Sequence, residues 1–133
     1  MSWVANVMIS VDMAHGATVK MLSEWLRTEA PHRAPKARGV GFLNPMTAPR
    51  TNEWGGWKQP ECEVWAGVLN HADLDALKRR VFEVPRREPN LVQLMVMDQE
   101  DGFFRIGMLR GGEPAQFAPV QPNEVDEGFH QNL

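Results

Sequence analysis

From Val4 to Asp12 apolar and polar residues alternate, with Ala5, Val7, Ile9 and Val11 on one face and Asn6, Met8 and Ser10 on the other. A period of two predicts a strand with one face on a core. Over Ala17–Ala30 the period changes. Val19, Leu22 and Leu26 recur at helical spacing with Trp25 beside them, which predicts a helix that Pro31 ends. A short second strand is expected over Gly39–Leu43 and a third over Glu61–Leu69. Asn70 is expected to cap a second helix, supported by Asp73 three residues on. That helix should run to about Val84, with Leu74, Leu77 and Val81 as its apolar stripe and Pro85 as its stop. Leu91–Asp98 is apolar on both faces, so it reads as a central strand or one covered on both sides. A turn at Asp98–Gly102 leads into a fifth strand over Phe103–Arg110. Gly111-Gly112 then turns into a short sixth strand over Ala115–Ala118.

This order predicts an α+β fold, a ferredoxin-like βαββαβ two-layer sandwich with a C-terminal β-hairpin extension. A weak internal repeat agrees. Glu29-Ala-Pro-His-Arg-Ala-Pro35 and Glu83-Val-Pro-Arg-Arg-Glu-Pro89 share four of seven residues, at an offset of 54. Residues 1–118 are expected to form a single domain, and 119–133 an acidic, flexible tail. A superfold of this kind hosts many unrelated activities, so the architecture assigns none by itself.

Composition adds a few constraints. A chain of 133 residues suffices for one domain that buries roughly two-thirds of its unfolded surface. Cys62 is the single cysteine, so no internal disulfide forms. With no signal-like start and no long apolar run, a cytoplasmic location is expected and a membrane partner is not. The net charge is −3, unevenly spread: residues 1–87 hold 12 basic and 9 acidic side chains, and residues 88–133 hold 2 and 8. That balance gives no basis for nucleic-acid binding.

The predicted order also sorts the loops by end. One end should collect the turn Asp12–Gly16, the long connection 44–60 and residues 85–90. The other should collect residues 31–38, Asn70-His71 and the turn 98–102. The first end holds the candidate site. Connections as long as 44–60 inside a compact domain are commonly functional. This one contains Trp54-Gly55-Gly56-Trp57 with Arg50 and Lys58 near, and Arg86 and Arg87 belong to the same end. Two tryptophans on a Gly-Gly hinge suit an aromatic lid or a partner anchor. They also suit a plug that caps the core, the use aromatics are put to more often. Cations beside aromatics point to a small anionic or planar ligand, or to a protein partner.

His15 is the candidate acid–base group, with Asp12 to orient it. No nucleophile or metal-ligand spacing accompanies it, so neither metal nor cofactor is expected. The basic run Lys78, Arg79, Arg80, Arg86 and Arg87 is read as complementing a helix C-terminus. If the open sheet face shows Met and Phe together, it is a dimer surface. The favoured expectation is therefore a non-catalytic ligand- or protein-binding module that self-associates as a homodimer. One alternative is a small cofactor-independent enzyme of the dimeric α+β barrel type using His15. Another is an immunity-like or inhibitory protein acting through acidic residues 98–101 and 124–127.

Overall fold

The computed structural model describes residues 3–12, 16–34, 37–47, 61–83 and 92–119. Its elements are β1 (Val4–Asp12), α1 (Gly16–Thr28), β2 (Asn44–Pro45), β3 (Cys62–Asn70), α2 (Leu74–Glu83), β4 (Gln93–Asp98), β5 (Arg105–Arg110) and β6 (Glu113–Phe117). The strands form one six-stranded sheet in the order β2-β3-β1-β4-β5-β6. Every strand pair in it is antiparallel.

The alternation along β1 sets the sheet's two faces. Ala5, Val7, Ile9 and Val11 are each 1% exposed or less, while the residues between them are half-buried. Across the sheet, Ile9 pairs with Trp65 and Leu94, so these side chains share its face. Val19, Leu22 and Leu26 of α1 and Leu77 and Val81 of α2 join the same buried cluster. Both helices therefore cover one face. As expected, β4 is interior, between β1 and β5.

The ferredoxin-like βαββαβ sandwich expected from the sequence is not what the structure shows. The described residues form an antiparallel six-stranded sheet with two short helices, and the strand expected over Gly39–Leu43 does not form. Its place in the sheet is taken by the two residues of β2. The reason lies in the glycines and in the end of α1. Gly39 has φ +88° and Gly41 φ +141°, conformations that break a pleated strand. The backbone N–H of Val40 donates to Leu26 O at 2.7 Å, and that of Gly39 to Ala30 O at 2.8 Å. Carbonyls at a helix C-terminus lack partners within the helix, and this segment supplies them. It then crosses β3, where Asn70 N donates to Val40 O at 2.9 Å. Residues with strand-like composition are thus used as a helix cap and a wedge.

The start of α2 also differs from expectation. Asn70 closes β3, and the cap is Asp73, whose Oδ1 accepts from the N–H of Ala76 at 3.1 Å. Between them His71 takes φ 59°, the left-handed region, to turn the chain. Replacing Asp73 with Ala is expected to cost about 1 kcal/mol, read as a shift in the urea midpoint with an unchanged slope. Asn70→Ala should cost less.

Of the two expected helix-stop repeats, the first is described through Ala34 and most of the second lies outside the described residues. The acidic residues of the tail (124–127) also lie outside them. No described helix is long and apolar enough to cross a membrane.

Candidate functional site

Most of the side chains singled out from the sequence fall where nothing can be stated. His15, Arg50, Trp54, Trp57, Lys58, Arg86 and Arg87 lie outside the described residues. Asp12 is described. It ends β1, opposite Cys62 and half-buried.

The other end of the molecule is described, and it gathers as the loop order predicted. Arg33 N donates to His71 O at 2.7 Å, and Asp73 N to Pro31 O at 3.2 Å. The rings of His32 and His71 stack with centroids 5.8 Å apart. His32 Nε2 is 2.8 Å from Gly39 O, so the ring carries its proton on Nε2 there. The Arg33 guanidinium lies 3.6 Å from the centre of the Trp3 ring. These contacts tie the start of β1 to the loop after α1 and to the turn before α2. Sequence reasoning brought their segments together but could not pair the rings, because they come from distant parts of the chain.

The acidic turn is occupied locally. Asp98 Oδ1 accepts from Glu100 N at 3.3 Å, and Asp101 forms an ion pair with Arg105 at 3.2 Å. The basic run of α2 divides as well. Arg80 lies over the Trp25 ring at 5.1 Å, whereas Lys78 turns to the opposite side of the helix and donates to Gln116 Oε1 at 3.1 Å.

That last bond crosses a trough beside α2. Two helices cover β3, β1 and β4, but the sheet continues for two more strands. The helix-side surface of β5 and β6 is therefore left without a helix over it, and the flank of α2 stands beside it as a wall. Gly107 of β5 lets the wall come close. A Cβ at that position would lie 3.3 Å from two ring carbons of Phe82, so the ring rests on bare backbone.

The Lys78–Gln116 bridge divides the resulting trough. On one side is a cavity of about 260 Å³ with a polar lining that includes Asp75, Asp98, Asp101 and Arg105. On the other is a groove of about 440 Å³. Phe82, Leu109 and Pro114 supply its apolar surface, and Lys78 and Arg79 bring two cations to it, with Glu83 also on its lining. Small-molecule sites have this character, mostly apolar with a few placed charges, at roughly 300–1,000 Å³. Comparison with protein families, curated proteins and solved structures finds no match for this chain.

Among the described residues, no three of His, Cys, Asp or Glu come together as a group that could hold a metal ion. The groove went unnoticed in the sequence because Phe82 and Gly107 are far apart along the chain. One signal was present: three predicted strands after the last helix make a sheet wider than two helices can cover.

Proposed function

We propose that this chain is a non-catalytic binding module that self-associates and takes a small molecule with a flat apolar body and an anionic group. The α2/β5–β6 groove carries the reading. Its apolar surface would bury the body of such a ligand, and the ammonium of Lys78 and guanidinium of Arg79 would meet its charge. Charge-assisted hydrogen bonds of that kind are stronger than neutral ones. A single free thiol, Cys62, suits a reducing compartment, and the proposal places the module in the cytoplasm.

The test uses 8-anilinonaphthalene-1-sulfonate, a planar apolar anion, titrated into the isotope-labelled full chain. Saturable binding should shift the amide signals of Phe82, Gly107, Leu109 and Gly112. Lys78→Gln should weaken it about tenfold or more, the worth of one such bond. Leu109→Asp should abolish it, because it places a buried negative charge against the probe's own. Shifts centred on Met95 and Ile106, on the opposite face, would overturn the reading.

A further inference from the structure

The face of the sheet turned away from the helices has no described element over it, and its composition is unusual. In one transverse row the register aligns Ala66 of β3, Met8 of β1, Met95 of β4, Ile106 of β5 and Phe117 of β6. Val68, Met97, Met108 and Ala115 lie on the same face in neighbouring rows. Val68 is 53% exposed and Phe117 47%. The remaining positions in the body of this face are Asn6, Ser10, Asn44, Gln93 and Val64. Among the described strand residues, charged side chains on it stand only at the ends of strands, at Asp12, Arg110 and Glu113. Depletion of charge with enrichment of Met and aromatics marks the centre of protein interfaces.

We propose that this face is where a second copy of the same chain docks, sheet against sheet. The inference rests on the self-association in the reading above and names the surface that performs it. Three observations select a second copy as the occupant.

The first is that a proline interrupts each edge of the sheet. Met46 N donates to Val64 O at 2.7 Å, so the position before it, Pro45, is the one whose N–H would point off the sheet, and proline has none. At the other edge Gly111 and Gly112, at φ 60° and 83°, make a two-residue turn. In such a hairpin the flanking pair, here Arg110 and Glu113, exchanges backbone hydrogen bonds. The next residue, Pro114, then occupies the outward position. The β2 edge is two residues long and Gln116 is the one outward N–H left in β6, so the edges offer little for pairing beside the broad face.

The second is charge. The chain carries a net −3, so any second copy carries the same. Two like-charged molecules meet at least cost where neither presents charge.

The third is size. The nine-residue β1 and β3 and the shorter β4, β5 and β6 span roughly 550 Å² of flat area, at about 3.4 Å per residue and 4.8 Å between strands. Side-chain relief raises this towards the roughly 600–800 Å² per partner that specific interfaces bury. Met8, Met95, Met97 and Met108 supply flexible side chains that can interdigitate across a two-fold axis.

The experiment is sedimentation equilibrium with light scattering on the full chain, from low to high micromolar concentration. The wild type should reach twice the 15.1 kDa chain mass. Met95→Lys places a cation at the centre of the row, opposite the same cation in the second copy. It should give the monomer mass with an unchanged circular dichroism spectrum. Phe117→Ser is the companion variant, at an edge position that the fold does not depend on, and should weaken dimerisation about tenfold. A wild type that stays monomeric throughout, because the chain's own residues or another protein cover the face, would overturn the proposal. So would a dimer that both variants leave intact. The naphthalene probe separates this failure from that of the groove, which lies on the opposite side of the sheet. A monomeric Met95→Lys that still binds the probe upholds both inferences, and a dimer without probe binding rejects the groove alone.

Discussion

Gly67→Ala is expected to lower the melting temperature by roughly 10 °C or more, among the largest effects of any single methyl group added to this protein. Gly67 faces the helices from the middle of β3, opposite Val7 of β1. The wedge Gly39–Leu43 crosses directly above it. A Cβ at Gly67 would overlap the carbonyl oxygen of Phe42. The obstacle is backbone, held at Val40 by Leu26 O and Asn70 N and at Leu43 by Ser23, so it cannot rotate aside as a side chain would. Overpacking costs about 1–3 kcal/mol and occasionally more, and this site belongs at the top of that range. For a domain of this length each kcal/mol is worth about 3–5 °C. The comparison is Gly102→Ala. Gly102 has φ +72° and nothing within 4 Å of an added Cβ, so only the backbone conformation opposes the change, at about 1–2 kcal/mol. Thermal melts of the two variants should differ clearly. A Gly67→Ala protein as stable as wild type would mean that the wedge is not seated on β3.

Ser23→Ala is expected to cost about 2–4 kcal/mol, far more than a surface serine. Ser23 is 7% exposed, on the buried side of α1. Its hydroxyl donates to Leu43 O at 3.0 Å and accepts from Leu43 N at 2.8 Å. One hydroxyl therefore satisfies both backbone groups of a buried residue that no strand partner serves. Leaving a buried donor or acceptor unpaired costs about 1–3 kcal/mol, and here two are stranded together. Thr28→Ala supplies the contrast. Thr28 Oγ1 donates to Glu24 O at 2.9 Å, but it does so in solvent, where water replaces the bond and the expected change is near zero. Urea denaturation of both variants reads the difference. Equal midpoints for the two would show that Leu43 has another partner.

These two sites also show where sequence reading stopped. The alternation in β1 was legible because a half-buried antiparallel strand must write its burial into every second residue, and Ala5 through Val11 do so. The stripe Val19–Leu22–Leu26 was legible for the corresponding helical reason. The wedge was not. Val40 and Leu43 are apolar and buried, as in a strand, and only the positive φ of Gly39 and Gly41 redirects the chain to cap α1. Glycine permits that conformation without announcing it. Ser23 likewise reads as an ordinary polar interruption of a helix until Leu43 is known to need it. The cap of α2 was misplaced by three residues because Asn70 and Asp73 are both good capping residues. What separates them is that Asn70 N is already engaged by Val40 O in completing β3.

The groove and the open face depended on counting layers more than on any motif. Phe82 marks the groove only once Gly107 is known to lie under it. Met8 and Met95 mark the face only once register pairs them. The apolar fourth strand was read as central or doubly covered. It is central, and Met95 and Met97 are half-buried on the side that no described element covers.

The prolines at the two borders of the sheet shorten the stretch of border open to pairing. A chain that associates through strand borders presents a fresh border after each addition and can lengthen without end. Here Pro45 and Pro114 each remove one outward amide from those borders, and the proposed dimer would consume the sheet face when two molecules meet. Raising the concentration should therefore fill a particle of fixed stoichiometry and leave fibres unformed.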